Sequence, residues 1–378
     1  MAVEIVPVAD RAGLERFIRL PDTLHRADPA WRAPLLAERR EALSPRRNPY
    51  FRHAEAAFWL ARRDGRDVGR VSAQEDRLAP PDEAGHRVGH FGLLAAEDDP
   101  AVFAALMGAA EGWIGARGLR RIQGPFSLSI NEEAGLLVDG FDTPPMLMMP
   151  HDPAYAGPRL ETVGYRGVQD LLAYLCDLSS GVPSAMAARV ARGLPPGVTL
   201  RPLRPRRLGA EVETMVSVFN QAWAGNWGFV PFTPEEAAHL ARQLRPLLHP
   251  RLVWFAEADG VPVAFAACLP DLNEAAAGLG GKLLPFGWAR LLWRLRVAGV
   301  HRARVPLMGV RRDVPGLAGP LVLLHLMTVL EREARAAGFD TVELSWVLES
   351  NAPMRRLARI LGGRPYKRYR IYGKSLPE

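Results

Sequence analysis

The sequence predicts an α/β protein made of two similar halves. Three observations carry that expectation. Strand-like apolar runs alternate with helical periodicity through the last quarter of the chain, the same order of elements recurs in the first half, and 378 residues at 48% apolar can bury more than one core. About 150 residues per domain suggests two or three domains, and the recurrence favours two.

The last quarter reads most clearly. Val305–Val310 is an apolar, strand-like run, and Arg311 to Pro320 follows it as a turn rich in Gly and Pro. A helix then runs from Leu321 to Gly338, with Leu321, Leu324 and Thr328 on one face and Glu331 to Arg335 on the other. Gly316, Ala318 and Gly319 let backbone approach a ligand, and the helix start beyond Pro320 offers unpaired N–H groups and a positive dipole end suited to a phosphate. Next come a strand at Asp340–Leu348, the sequence Glu349-Ser-Asn351, a short helix over Met354–Leu361 closed by Gly362-Gly363, and an aromatic strand.

The first half follows the same plan. It has a helix over 11–26, strands at 56–62 and 67–74 around Asp64-Gly65, a strand at 90–95 and a helix over 101–118, then Arg121-Ile-Gln-Gly, a helix near 154–164 and a strand at 168–175. The second has a helix over 209–224 and strands flanking Asp259-Gly260 before the last quarter begins. Proline and arginine over 193–205 break the pattern and look like a linker and domain start, which puts the boundary near 180: a first domain over 1–180 and a second over 181–378. The halves differ at the phosphate turn. Its counterpart in the first is Ala96-Glu-Asp-Asp-Pro100, where Asp caps a helix well and repels a pyrophosphate.

The order strand, Gly-rich turn, helix, strand, Asn-led helix, strand resembles the GNAT (Gcn5-related N-acetyltransferase) superfamily, with Gly316-Leu-Ala318 filling the Gly-x-Ala part of its phosphate turn. Asp313 stands at the leading Arg/Gln position, and Arg311 and Arg312 lie just upstream. The resemblance implies two tandem GNAT-like domains, each a mixed, mostly antiparallel sheet flanked by helices. It also implies an acyl-CoA or acetyl-CoA donor held by Met308, Gly309, Val310, Arg311, Arg312, Gly316, Ala318, Gly319 and Asn351. A Tyr seven residues after that Asn commonly protonates the departing thiolate in the superfamily; here the position is Ala358, and Tyr366, Tyr369 and Tyr372 on the last strand are the nearby phenols, Tyr372 among the catalytic candidates. A thiolate also leaves unprotonated, since thiols ionise near pH 8.5.

Phe219-Asn-Gln-Ala-Trp223, Asn226 to Pro231, Pro270-Asp-Leu-Asn273 and Tyr366-Lys-Arg-Tyr-Arg-Ile-Tyr372 are similar to a proteobacterial group of tandem GNAT-like proteins that includes or neighbours the bacterial ceramide synthases. That similarity implies acyl transfer from a long-chain acyl thioester, on CoA or on an acyl carrier protein, to the amine of a sphingoid base. Small-molecule amine acetylation and a non-catalytic lipid- or carrier-binding module stay open beside it.

Acceptor-side candidates come from two segments. The stretch from Phe219 to Phe232 holds five aromatics with Asn220, Trp223, Asn226 and Trp227, and it reads either as an apolar slot or as an aromatic core anchor. The stretch from Gly124 to Tyr155 is dense in small and polar residues, among them Asn131, Glu132, His151 and Asp152, and reads either as a lining loop or as a well-capped one. The attacking amine must lose a proton, for which Glu349 is the first candidate base, Glu343 the second and Asp271 the third.

Net charge is +7, and all but three of the 48 cations are arginine. A basic surface suits CoA phosphates, a carrier protein or anionic lipid. No nucleic-acid reading module is visible, and nucleic acid is not expected as a partner. The two cysteines, Cys176 and Cys268, lie in apolar runs and read as buried thiols of a reducing compartment, with no metal site. No secretion signal and no membrane-length apolar run is seen, so the expected location is cytoplasmic. An insertion over 281–304 carries Trp288, Leu291, Leu292 and Leu295 on one helical face and Arg290 and Arg294 on another, with no acid from Lys282 to Arg304. It fits a helix lying on the inner membrane as well as an ordinary surface helix.

Overall fold

Two Asp-Gly turns set the hairpins from which both halves grow. Asp64 and Gly65 have φ of 52° and 75°, and Asp259 and Gly260 have 49° and 81°. Two successive positive φ values are what a type I′ turn requires, and its twist matches that of the strands it joins. Arg63 therefore pairs with Arg66, and Ala258 with Val261.

The structure is a computed structural model and describes residues 2–181, 183–314 and 318–377. In chain order the elements are β1 (Glu4–Pro7), α1 (Arg11–Leu24), α2 (Leu36–Ala42), β2 (Ala54–Arg63), β3 (Arg66–Asp76), β4 (Gly89–Ala96), α3 (Pro100–Gly115), β5 (Arg121–Gly124), β6 (Leu136–Asp139), α4 (Ala156–Thr162) and β7 (Arg166–Asp177). They continue as α5 (Ser184–Val190), β8 (Val198–Pro202), α6 (Leu208–Trp223), α7 (Pro234–Leu244), β9 (Val253–Ala258), β10 (Val261–Pro270), α8 (Leu272–Ala275), α9 (Gly287–Trp293), β11 (Arg302–Val310), α10 (Gly319–Ala336), β12 (Thr341–Leu348), α11 (Ala352–Ile360) and β13 (Arg364–Ser375). The fold is mixed α/β with mostly antiparallel sheets flanked by helices.

Two compact units are built from these elements. One comprises Met1–Leu171, Ala276–Ala289 and Lys367–Glu378; the other comprises Leu172–Ala275 and Arg290–Tyr366. The sequence reading has a single boundary near 180, whereas the last strand from Lys367 onward belongs with the first unit.

In the first unit the strands run β1-β2-β3-β4-β5-β13, with β6 also on β13. Phe91, Val102, Phe103, Leu106 and Ile114 are buried between the sheet and α3, and Phe17, Leu36 and Tyr50 pack α1 and α2 on the other side of the same strands. The tyrosine- and arginine-rich last strand is explained here. Lys367 is buried and donates to the carbonyls of Gly140 and Thr143. Arg368 and Arg370 reach the buried Asp170 from the opposite face of the strand, at 2.8 Å and 2.7 Å.

The second unit has the order β12-β11-β10-β9-β8. Met215, Val218 and Phe219 of α6 pack on Phe255 and Phe265. The segment read as a linker holds β8, a five-residue strand at the end of this order. Pro202 fits there because an edge strand leaves amides unpaired in any case. α7 follows the aromatic stretch, and a capping box between Thr233 and Glu236 starts it. The insertion is helical over less of its length than the sequence suggests, since α9 ends at Trp293 and a π-turn over Arg294–Ala298 leads into Gly299 at φ 81°.

Burial alone would raise the Asp170 carboxyl, but hydrogen bonds from Arg370 and Arg368 outweigh it and hold it below its usual range. A depressed acid contributes stability above its unfolded pKa, and that contribution is lost as pH falls through the folded value. Asp170→Asn should therefore lower stability by roughly 1–3 kcal/mol at pH 7, with the gap to wild type closing below about pH 4. Thermal unfolding from pH 7 to pH 3 checks both parts.

Candidate active site

β11 and β12 are parallel neighbours for only part of their length. Their register runs from Arg302↔Thr341 to Val305↔Leu344 and stops, although β11 continues to Val310 and β12 to Leu348. The next residue, Pro306, has no amide hydrogen to give to either neighbour, and the β10–β11 register shifts here, between Ala267↔Leu307 and Leu269↔Arg304. Beyond the shift β11 stays with β10, pairing Met308 with Ala266 and Val310 with Ala264. β12 leaves, and the gap is a cleft of about 260 Å³.

Side chains from α6 prop it open. Trp223 Nε1 donates to the Met308 carbonyl at 3.0 Å, and the Trp223 ring meets Trp346 of β12 edge to face at 5.3 Å. The remaining wall is Asn226, Arg312, Leu323, Ser345, Asn351 and the α11 residues Met354, Leu357 and Ala358. Two glycines allow the backbones this close: a Cβ on Gly309 would stand 3.0 Å from Ala222 Cβ, and one on Gly319 would stand 3.2 Å from Val310 Cγ1.

Most donor-side candidates gather here. Met308, Gly309, Val310, Arg312 and Asn351 line the cleft. Gly319 and Ala318 form the α10 start, where no side chain caps the helix. Asn351 also caps α11, its Oδ1 accepting from Met354 N at 3.1 Å. Arg311 turns to Asp313 at 2.7 Å. Gly316 lies outside the described residues. At the corresponding start of α3, Asp99 caps the helix and pairs with Arg63, so a carboxylate occupies that place in the first unit.

The other candidates divide. Trp223 and Asn226 line the cleft, and Trp227 lies half-buried in the loop after α6. Asn220 spends both amide atoms on the backbone of Phe232, and Phe219 stacks with Trp223, Phe229 and Phe232, so that segment is chiefly a core anchor. In the first unit, Asn131 sits in a turn with its N–H on Ser129 Oγ. His151 is buried with Nε2 2.7 Å from Asp28, and burial, only partly offset by Asp28, keeps its imidazole below the usual range. Asp152 accepts from Leu137 N, and burial pushes its carboxyl up to about 7.

No carboxylate is among the described residues that line the cleft. Glu349 lies one residue past β12, its carbonyl accepting from Arg355. Asp271 is fully buried, with Arg302 at 2.5 Å, and starts α8. Tyr372 packs in the first unit's core; its hydroxyl is 3.3 Å from Glu161, and burial pushes it up to about 12. Glu343 is buried as well, but its environment connects to the cleft wall. Ser345, which lines the cleft, donates to Glu343 Oε1 and accepts from Arg304 Nε at 2.7 Å, and Tyr366 donates to Glu343 Oε2. Ser345 and Trp346 escaped the sequence reading, and their one sequence signal was a polar Ser two residues after Glu343 in a mainly apolar strand. Arg304, the last residue of the insertion in the sequence reading, is buried in this network.

Relatives bear directly on this geometry. The chain is 51% identical over 375 residues to a protein named bacterial ceramide synthase from Caulobacter vibrioides (strain NA1000 / CB15N), covering 99% of this chain and 98% of that one. It is 43% identical over 364 residues to protein YghO of Escherichia coli (strain K12), covering 96% and 93%. A tandem GNAT protein from the clavulanic acid biosynthesis pathway aligns with a TM-score of 0.58 at 17% identity, over 100% of this chain and 99% of its own. A GCN5-related N-acetyltransferase from Sphaerobacter thermophilus aligns at 0.52 and 17%, over 99% and 96%. No protein-family model matches the sequence. Fold, site and relatives together define an N-acyltransferase of the tandem GNAT type. The chain belongs to the bacterial ceramide synthase family.

Arg312 gives a direct check on the donor side. A Cβ on Gly225 would stand 2.6 Å from Arg312 Nη1, the free end of a flexible side chain. Gly225→Ala should displace that guanidinium at little cost in stability. The expected result is a weaker Kd for CoA by calorimetry with an unchanged thermal midpoint.

Proposed function

We propose that this protein transfers a long-chain acyl group from an acyl thioester to the amine of a sphingoid base. The observation that carries the reading is the 51% identity, without large gaps in coverage, to the Caulobacter protein of that name. The cleft suits the donor: its walls are mostly apolar, Arg312 stands at one side, and Leu323, in the first turns of the uncapped α10, lines it. CoA is the donor carrier we favour, and an acyl carrier protein is the alternative that a basic surface also fits.

In this reading the thioester carbonyl lies against β11. The N–H and C=O of one residue point the same way in an extended strand. Since the Met308 carbonyl faces Trp223, the Met308 N–H also faces away from β10, and it polarises the thioester oxygen. The amine attacks, the C–N bond forms, the C–S bond breaks, and the electron pair leaves with sulfur as thiolate. The amine's proton passes to Ser345 Oγ as that hydroxyl passes its own to Glu343. Glu349, just past the same strand, is the competing base.

Mass spectrometry of the purified protein with sphinganine and palmitoyl-CoA should show an N-acyl amide and free CoA. Thioester hydrolysis with no amide would overturn the reading. Ser345→Ala should reduce kcat by about 10²-fold or more and Glu349→Gln much less; the reverse order would assign the proton to Glu349.

A lipid acceptor also gives a meaning to the insertion, which we read as a peripheral contact with an anionic membrane. Leu284, Phe286 and Val297 are 80%, 77% and 72% exposed, and Trp288, Leu292 and Trp293 are exposed beside Lys282, Arg290 and Arg296. Leu291 instead packs inward and Arg294 turns to the Ala275 carbonyl. Apolar and aromatic tips flanked by cations are what an interfacial segment presents. No helix among the described residues is long and apolar enough to cross a membrane. The protein should sediment with phosphatidylglycerol vesicles but not with phosphatidylcholine ones, and the triple change of Phe286, Trp288 and Trp293 to Ser should abolish it.

A further inference from the structure

Behind the cleft, in the same unit, lies a second cavity that no part of the transfer chemistry uses. It has a volume of about 30 Å³, is open at one side, and lies on the α10 side of β11 and β12. Its lining is almost wholly apolar, with Cys176, Met186, Cys268, Met327, Leu330 and Ala334 all buried. Burial pushes both thiols up to about 12, so they stay protonated and act as small apolar groups. The acids at its edge are Asp177 and Glu331, and Glu331 is engaged by Arg335 one turn on.

Three residues, Val305, Leu344 and Leu361, line both this cavity and the cleft. Val305 and Leu344 are the last paired residues before β11 and β12 part. Leu361, just past α11, is the one of the three that is only half-buried. These three apolar side chains form a wall common to the two spaces. A dry apolar space in contact with the donor cleft lowers the free energy of any methylenes that enter it.

We propose that this cavity receives the distal end of the fatty acyl chain, and that Leu361, Met327 and Ala334 set the chain length accepted. The inference rests on the acyl-transfer reading above and deepens it. The cleft takes the carrier arm and the first carbons of the acyl group, and a longer chain needs apolar space beyond it. A tail pocket makes affinity rise with each buried methylene, by up to about fourfold apiece, until the cavity is full. Filling it from α10 removes the gain, and opening its partition extends it.

Calorimetric titration with acetyl-CoA, octanoyl-CoA and palmitoyl-CoA tests this on the full chain. Wild type should bind palmitoyl-CoA much more tightly than acetyl-CoA. Ala334→Phe should reduce that ratio about tenfold or more, the equivalent of two or so methylenes, and acetyl-CoA binding reports that the variant is folded. Leu361→Ala, which removes bulk and so guards against a folding failure of the first variant, should move the optimum toward longer chains. If wild type shows the chain-length gain and neither variant alters it, the tail lies elsewhere and the inference fails while acyl transfer stands. If wild type binds none of the three, the donor reading fails and takes the inference with it.

Discussion

The structure depends on one break in hydrogen bonding: β12 parts from β11 after Val305↔Leu344. A parallel pair normally continues as long as both strands do, because each unmade bond leaves buried backbone groups unpaired. Here the break is supported from both sides. Pro306 removes a donor at the point of parting, and the Trp223 indole supplies one to the Met308 carbonyl that β12 no longer reaches. The Trp223–Trp346 contact fills the width of the gap on the α6 side. The separation is therefore a supported feature of the fold, with polar groups of the strands left free to act on a ligand.

Charge is arranged around that break in a consistent way. Glu343 is kept off the cleft surface and tied to Arg304, Ser345 and Tyr366. A buried carboxylate with a cation and two hydroxyls around it is held in one position, and the Ser345 hydroxyl connects it to the cleft wall. Exposed cations lie elsewhere, among them Arg312 beside the cleft and Lys282, Arg290 and Arg296 along the insertion. Cations thus stand beside the cleft and along the insertion, while no carboxylate is among the described residues that line the cleft.

Much of this was legible in the chain. The Asp-Gly turns, the α6, α10 and α11 helices and most of the longer strands follow from periodicity and turn chemistry, which act locally, whereas the short β1, β6 and β8 were not read. Asn351 capping α11 is a local signal of the same kind. What local patterns could not carry is which long-range partner a polar residue finds. Asn220 looked like a lone amide in an aromatic slot, and both its amide atoms go to Phe232. Glu343 and Arg304 lie 39 positions apart in sequence and meet only because the parallel pairing of β11 and β12 sets Arg304 opposite Glu343. The last strand looked like a source of catalytic tyrosine, yet Tyr369 and Tyr372 are core residues and Tyr366 is a donor to Glu343. Pro306 was visible throughout as a proline in an apolar strand, and it marked the break.

A crystal structure with a non-hydrolysable palmitoyl-CoA thioether tests the account at its centre. The pantetheine arm should run between β11 and β12 with its carbonyl-equivalent carbon beside Met308 and its phosphates near Arg312 and the start of α10. Ligand bound away from the parted strands, or β12 closed onto β11 over the full length of both, would contradict it.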